Sequence, residues 1–316
     1  MLYHINSKGE PGLCKAQKAC PFGGPDAHFT TKEAARFAFE AKQSDVFTGR
    51  FIPKTKEGIP LFNRPFSEKE IEQTRLLLST FCNGSGATNK AVDWTIPDYR
   101  DFERVVAEVC GGQTSENKDI FDVYVPVPDR LPFGISCKMA GPGSPANPAA
   151  AFIEMSNSSK KFTDAYRQAG IAWQDDPTAA GQITVQLVES WHTEVATTCD
   201  LEHSSYLLLT HSNNWRQFKL SSFPLDLSIA DPGTEIEWEV RNHRQSNQPN
   251  SLHGYYERDG RRHRVWEFYP ESGGQLKYRP LWGWANWKTD WFQLEQPPRR
   301  NLREQAQLYF PELWQD

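Results

Sequence analysis

Segments with helical and with strand periodicity alternate along residues 67–230 of this sequence. Apolar residues recur at helical spacing over 99–110 and 179–198, whereas 120–127 and 205–211 are short apolar runs of strand length. This alternation is typical of an α/β fold, in which helices cover a central sheet. We therefore predict a mixed central sheet flanked by helices for this part of the chain.

Two regions of different character flank this segment. Residues 1–45 combine cysteines and histidines with a helical pattern, and residues 231–316 are rich in aromatic side chains and arginines, with short strand patterns. Helices are also expected over 34–42 and over 149–168. The predicted organisation is an N-terminal Cys/His module at 1–45, an α/β core at 67–230 and a β-rich C-terminal lobe at 231–316.

The composition is that of a globular protein, with 38% apolar and 24% charged residues. No apolar run reaches the roughly 18 residues of a membrane-spanning helix, and the first residues lack a secretory signal, so we expect a cytoplasmic protein without membrane contact. Six cysteines are too few for a dense disulfide framework in this chain, which favours reduced thiols.

The net charge is -5, yet residues 241–303 carry 12 Arg and Lys against 6 Asp and Glu, a local excess that suits phosphates.

The strongest chemical signal is a carboxylate and a lysine on two adjacent strand patterns. Asp122 lies in Phe-Asp-Val-Tyr-Val, and Ser136 and Lys138 lie in Gly-Ile-Ser-Cys-Lys-Met after a short turn. Because side chains alternate along a strand, Ser136 and Lys138 share one face, and a hairpin can bring Asp122 to the same face. Phosphodiester hydrolysis uses such groups, since a carboxylate holds Mg²⁺ and a lysine orients or deprotonates a water.

This arrangement resembles the PD-(D/E)xK superfamily of metal-dependent nucleases, whose fold most type II restriction endonucleases share. Ser136 stands where the family usually has an acidic residue, as in the NgoMIV/Cfr10I group of tetrameric restriction enzymes. The resemblance covers about residues 99–210. It implies that a glutamate on the following helix, here Glu154, replaces the missing carboxylate. It also implies an outer ligand on the preceding helix, for which Glu103 is preferred over Glu108.

The resemblance implies a type II restriction endonuclease that cuts double-stranded DNA at a short specific site with Mg²⁺ and leaves 5′-phosphates. In this interpretation Asp122 and Glu154 hold the ion, Lys138 positions the attacking water and Ser136 hydrogen-bonds a metal-bound water. A homodimer is expected, because the two strands of a palindrome need two sites related by a two-fold axis. The Ser-x-Lys likeness also leaves a tetramer open.

The C-terminal region supplies candidate contacts to DNA. Arg pairs well with guanine and Asn or Gln with adenine, and a basic turn suits phosphates. The candidate DNA-binding residues are Arg241, Asn242, Arg244, Gln245, Arg258, Arg261, Arg262 and Arg264. Four tryptophans could fill the core of a small lobe, which we favour, or stack on bases. They are Trp282, Trp284, Trp287 and Trp291.

The N-terminal region contains two histidines and two cysteines, His4, Cys14, Cys20 and His28. Two thiolates and two imidazoles form a complete tetrahedral zinc ligand set, but the Cys-x5-Cys-x7-His spacing is not that of a standard zinc finger. Two interpretations of these four residues therefore stay open: they bind a structural Zn²⁺, or they are buried side chains that bind no metal. The segment resembles a short module that heads otherwise unrelated bacterial and phage proteins, which implies a detachable unit without naming its function.

Three interpretations of the whole chain follow from these observations. The first is the restriction endonuclease, and the second is a non-enzymatic, zinc-containing module that binds nucleic acid or protein. The third is a repair or modification-dependent nuclease, in which the tryptophans form a base pocket. In the second, Asp122 and Lys138 are only a cross-strand ion pair worth a few tenths of a kcal/mol, and the glutamates are solvated.

Overall fold

The computed structural model describes most of the chain beyond residue 57 and parts of the preceding segment. The described residues are 2–5, 11–15, 20, 28, 32, 58–84, 87–88, 95–115, 120–142, 149–157, 159–226, 235–243, 245–258, 260–270, 274–298 and 300–314. The chain forms two compact units, Met1–Pro53 and Lys54–Asp316. The predicted helix over 34–42 lies outside the described residues.

The smaller unit contains an antiparallel hairpin of strands β1 (Tyr3–Ile5) and β2 (Pro11–Leu13). His4 lies opposite Gly12 in this hairpin. The N–H of Cys14 donates to the carbonyl of Leu2 over 2.8 Å, which extends the pairing by one hydrogen bond. The hairpin therefore brings His4 and Cys14 close together.

The larger unit is a mixed α/β structure, as predicted from the alternating patterns. Its described α-helices are α1 (Glu68–Ser79), α2 (Tyr99–Cys110), α3 (Ser159–Gln168), α4 (Pro177–Glu194) and α5 (Leu302–Tyr309). Its described strands are β3 (Ala87–Thr88), β4 (Thr95–Ile96), β5 (Gln113–Thr114), β6 (Val123–Val125), β7 (Phe133–Ala140), β8 (Ile153–Asn157), β9 (Ser205–His211), β10 (Phe218–Pro224), β11 (Glu237–Asn242), β12 (Pro249–Arg258), β13 (Arg261–Tyr269), β14 (Gln275–Tyr278) and β15 (Trp287–Lys288).

Local sequence explains where the helices near the candidate site begin and end. Ser67 caps α1 through a reciprocal hydrogen-bond pair with Glu70, and Asp98 caps α2 in the same way with Asp101. Gly111 ends α2 in the left-handed conformation, with a φ of 68° that glycine adopts at little cost. The predicted helix over 99–110 is thereby confirmed at both ends.

A six-stranded mixed sheet runs in the order β15–β10–β9–β7–β6–β5. Strand β7 pairs antiparallel with β6 and parallel with β9. The connection between the parallel strands β7 and β9 includes α3 and α4, as a parallel pair requires a long crossover. The chain order is therefore helix α2, strands β5 to β7, strand β8, which does not join this sheet, helices α3 and α4 and then strand β9.

The two faces of this sheet contribute to two separate apolar cores. Val123, Ile135 and Leu207 belong to a core that includes Phe102 of α2 and Leu78 of α1. The opposite core joins the sheet to α3, α4 and a second sheet, and its members include Tyr206, Leu208, Phe162, Val188 and Trp266. Burial on both faces fixes the register of β6 and β7 and with it the direction of Asp122 and Lys138.

The second sheet is antiparallel, with the order β11–β12–β13–β14–β8. Its strand β8 corrects the predicted helix over 149–168, of which only the part from Ser159 is helical. Ile153 is buried and pairs with Tyr278 of β14, so tertiary pairing outweighs the local pattern. Since β8 joins this sheet and β15 joins the other, the predicted boundary near residue 230 does not separate the two sheets.

The sequence had indicated that the clustered tryptophans fill the core of one small lobe, but they pack on two different cores. Trp287 packs with Phe66 on the core of α1 and α2, at a ring-centroid distance of 5.3 Å, whereas Trp282 and Trp284 pack on the opposite core. Trp291 is 44% exposed.

Among the described helices, none combines the length and apolar character needed to cross a lipid bilayer.

Candidate functional site

The structure brings Asp122, Ser136 and Lys138 to one point. The Ser136 hydroxyl donates to Oδ2 of Asp122 over 3.3 Å, and the Lys138 ammonium donates to the same oxygen over 3.2 Å. The side chains of Asp122 and Lys138 are 26% and 24% exposed, so both remain accessible to a ligand. The predicted common face of the β6–β7 hairpin is therefore present.

Gly134 helps to position Asp122, because it packs against Phe121, the residue that precedes Asp122. The N–H of Asp122 donates to the carbonyl of Ile135 over 3.1 Å, while the ring of Phe121 lies directly on Gly134. A Cβ at position 134 would lie 2.1 Å from that ring, so only glycine allows this packing. Phe121 belongs to the core opposite that of Val123, because regular strand pairing begins only at Val123.

Glu103 of α2 shares the electrostatic environment of this group. Burial raises the pKa of the half-buried Glu103 carboxyl to about 7, and the negative charge of Asp122 adds to the increase, whereas Lys138 opposes it. The alternative candidate, Glu108, is exposed. The structure thus couples the predicted outer carboxyl to both Asp122 and Lys138.

Glu154 does not lie on a helix, and the reasoning that selected it is wrong. It lies on β8, where Nε2 of Gln275 on β14 donates to its Oε2 over 3.2 Å. Its neighbours Met155 and Ser156, rather than Glu154, line the cleft at Asp122. Within the described part of the chain, Asp122 belongs to no group of three His, Cys, Asp or Glu ligand atoms that all lie within 4.8 Å of one another.

The three residues line a cleft of about 480 Å³ whose other lining residues the sequence analysis missed. Helix α3 contributes Lys161, and α4 contributes Trp191 and Glu194. The Lys161 ammonium lies 5.0 Å from the centroid of the Trp191 ring, a cation–π distance. Helical periodicity had assigned Trp191 to a core stripe, and no local motif marks Lys161 or Glu194 as neighbours of Asp122.

The floor of the cleft contains a neutral histidine. His192 and the hydroxyl of Tyr206 are joined by a hydrogen bond of 2.8 Å, and both side chains are buried. Burial lowers the pKa of His192 to about 4. The imidazole is therefore uncharged at neutral pH and supplies no positive charge to the cleft.

Three of the predicted DNA-binding arginines take part in ion pairs within the C-terminal sheet. Arg262 pairs with Glu237 at 2.9 Å and with Glu239 at 3.1 Å. Arg241 pairs with Glu239 at 2.6 Å. Arg264 pairs with the buried carboxylate of Glu267. These contacts stabilise the sheet, so the prediction of DNA binding is weakened for these three residues.

The other predicted DNA-binding residues lie at two exposed turns. Arg258 and Arg261 face each other where β12 passes into β13, and both are exposed. Asn242 and Gln245 are exposed near the turn that joins β11 to β12. Gln245 lines a shallow concavity there. Arg244, also predicted to bind DNA, lies outside the described residues.

Two side-chain clusters have the composition of metal sites. His4, Cys14, Cys20 and His28 of the smaller unit have ligand atoms that all lie within 4.8 Å of one another, so they could hold a metal such as zinc. Asp200, Glu202 and His203 of the larger unit meet the same criterion. Asp200, however, is already engaged with His203 at 3.0 Å and with Arg130 at 3.5 Å.

Comparisons with known proteins identify no family for this chain. No protein-family model, no curated protein and no solved structure matches it. The function of this chain must therefore be inferred from the geometry of the cleft and from the chemistry of its side chains.

Proposed function

We propose that this protein is a Mg²⁺-dependent endonuclease of the type II restriction class that hydrolyses phosphodiester bonds in double-stranded DNA. The observation that carries the proposal is the convergence of Asp122, Ser136 and Lys138 at one cleft, with the Glu103 carboxyl electrostatically coupled to it. The PD-(D/E)xK resemblance implies the order helix, strand, strand, helix, strand. The order of α2, β6, β7, α4 and the parallel strand β9 supports the proposal, with β5, β8 and α3 as additional elements.

Asp122 and Glu103 are the side chains that would hold Mg²⁺, with the Ser136 hydroxyl beside them. Oxygen donors suit this ion, which keeps several waters and needs few protein carboxylates. The negative charge of Asp122 acts on the half-buried Glu103 carboxyl, so a nearby cation would favour the ionised form of both groups. A bound ion would neutralise the phosphate and lower the pKa of a coordinated water.

Lys138 is the residue that would act on the attacking water. Its ammonium is held by Asp122 yet remains partly exposed in the cleft, so it can hydrogen-bond a water beside the phosphate. In that position it orients the water and stabilises the negative charge that develops on the phosphate oxygens. Ser136 keeps Asp122 in place through its own hydrogen bond.

A purely structural ion pair explains this arrangement less well. A half-buried carboxyl whose pKa is raised by burial and by the charge of a carboxylate that lines a cleft together with a lysine is typical of functional sites. The exposed arginines of the β12–β13 turn add a surface for DNA phosphates, and a homodimer would present two such sites to a palindrome.

Cleavage of a supercoiled plasmid tests the proposal. Wild-type protein is incubated with Mg²⁺ beside Asp122→Asn, Lys138→Ala and the control Lys288→Ala, which changes an exposed lysine of the same sheet. We expect nicked and linear products from wild type and the control, and a loss of at least about 100-fold in both site variants.

The same assay distinguishes the other interpretations. Plasmids with and without methylation are compared, since cutting of modified DNA alone would indicate a modification-dependent nuclease. Binding without cutting by wild type on either substrate would support the non-enzymatic module. Equal cutting by wild type and Lys138→Ala would contradict the proposed site.

A further inference from the structure

Two imidazoles and two thiols meet at the β1–β2 hairpin of the smaller unit. His4 lies on β1 and Cys14 directly follows β2, so the hairpin itself brings these two together. Cys20 and His28 come from the chain that follows. His4 is only 7% exposed and the other three are half-buried, so the cluster is largely shielded from bulk water.

The distances between the four ligand atoms fit a tetrahedral zinc ion. Cys14 Sγ lies 3.3 Å from Nε2 of His28, and Cys20 Sγ lies 3.5 Å from Nδ1 of His4. All four atoms lie within 4.8 Å of one another. Zinc bonds of roughly 2.0–2.1 Å to nitrogen and about 2.3 Å to sulfur separate neighbouring N and S ligands by about 3.5 Å in a tetrahedron.

The orientation of the two rings also suits a shared ion. The rings of His4 and His28 are 5.7 Å apart and nearly perpendicular, at 87°. Each ring directs one nitrogen toward a sulfur, Nδ1 from His4 and Nε2 from His28. The two N–S contacts therefore bring all four ligand atoms into one small volume, as a shared ion requires.

We propose that His4, Cys14, Cys20 and His28 bind one Zn²⁺ ion that stabilises the fold of the smaller unit. Two thiolates with two imidazoles select zinc over Mg²⁺ or Ca²⁺, which take oxygen ligands. Four protein ligands fill the tetrahedron and leave no position for a water, so the role is structural rather than catalytic. This site is independent of the nuclease chemistry proposed for Asp122 and Lys138.

Metal analysis of the full-length protein tests this site. The reduced protein is stripped with a chelator, titrated with Zn²⁺ against a chromophoric competitor and measured by elemental analysis. The variant is Cys14→Ser/Cys20→Ser. The matched control is Cys82→Ser/Cys110→Ser, which changes two buried thiols of the larger unit. We expect one tightly bound zinc per chain in wild type and control, and none in the first variant.

Cobalt substitution gives a readout that needs no variant. Co²⁺ bound by two thiolates in a tetrahedron shows sulfur-to-metal charge transfer and strong visible absorption, and Zn²⁺ should displace it. Failure of the stripped, reduced wild type to bind Zn²⁺ tightly would overturn the proposal, as would zinc retained by Cys14→Ser/Cys20→Ser or a Co²⁺ spectrum without thiolate bands. Plasmid cleavage is scored separately, so failure of one proposal is distinguishable from failure of the other.

Discussion

Lys138 Nζ and Asp122 Oδ2 lie 3.2 Å apart across the β6–β7 hairpin, and the charges of both act on the pKa of Glu103. Lys138 thus pairs with one carboxylate, and its charge acts on a second carboxyl group. This group has an excess of acidic side chains and partial access to solvent, a combination that favours a cation.

Glu103 and Glu154 compete for the role of second carboxylate, and the structure favours Glu103. We predict that Glu103→Gln lowers the cleavage rate by at least about 100-fold, because it removes the carboxyl coupled to Asp122. Glu154→Gln should stay within a few fold of wild type, since Glu154 lies on the second sheet, where it accepts a hydrogen bond from its neighbour Gln275. Plasmid cleavage over a range of Mg²⁺ concentrations measures both. A larger loss of cleavage rate in Glu154→Gln than in Glu103→Gln would indicate that Glu154 is the second ligand instead.

Gly134→Ala should destabilise the hairpin that carries Asp122. The added methyl would lie 2.1 Å from the Phe121 ring, and overpacking of this kind costs about 1–3 kcal/mol. Gly141→Ala is the matched control, because its Cβ would meet His211 at an ordinary 3.6 Å. Urea denaturation gives the free energies of unfolding. Equal stability of the two variants would show that the contact between Phe121 and Gly134 does not restrain the hairpin.

His192 makes stability depend on pH. Burial lowers the pKa of His192 from 6.5 to about 4, so between these values the unfolded chain binds a proton that the folded protein does not. Its contribution is fully present above pH 6.5 and is lost as the pH falls toward 4. At about pH 5 the loss is roughly 2 kcal/mol.

Urea denaturation at about pH 7.5 and about pH 5 measures this effect. His192→Gln should reduce the difference in unfolding free energy between the two pH values by that amount. His243→Gln, which changes an exposed histidine, should retain the wild-type difference. A pH dependence unchanged in His192→Gln would contradict the assignment.

Arg261 should contribute to DNA affinity through phosphate contact. We predict that Arg261→Ala weakens binding about equally for all sequences and reduces the slope of log affinity against log salt by about 1. Arg262→Ala should change the slope less, because Arg262 already pairs with Glu237 and Glu239. Fluorescence anisotropy with a labelled duplex in Ca²⁺ measures both. An unchanged slope in Arg261→Ala would remove this turn from the interface.

Local pattern predicted the elements that carry the site. The helix over Tyr99–Cys110 and the strand over Ser205–His211 follow the expected bounds, and the alternation of side chains placed Ser136 and Lys138 on one face. These features succeed because caps, periodicity and a short hairpin connection are encoded by neighbouring residues.

Long-range pairing accounts for what the sequence did not reveal. The local pattern of residues 153–157 predicts a helix, but these residues form β8 because they pair with β14. This pairing could not be predicted locally, since β14 lies more than 100 residues away in the sequence. Because it places Glu154 on a strand, Glu154 does not take the helical position that was predicted for it. Likewise, Arg241 and Arg262 appeared to be free for DNA. Arg262 of β13 reaches Glu239 of β11 across β12, a contact that no local pattern shows. Arg241 lies two residues from Glu239 on β11, so strand alternation could have indicated that pair.

The most direct test of the central claim is the single-turnover rate of plasmid cleavage by wild type and Lys138→Ala, with DNA binding measured in Ca²⁺ for both. The account predicts that wild type cuts only when Mg²⁺ is added, and that Lys138→Ala cuts at least about 100-fold more slowly while binding DNA with similar affinity. Equal rates for the two proteins, or no cleavage by wild type on any duplex substrate, would contradict it.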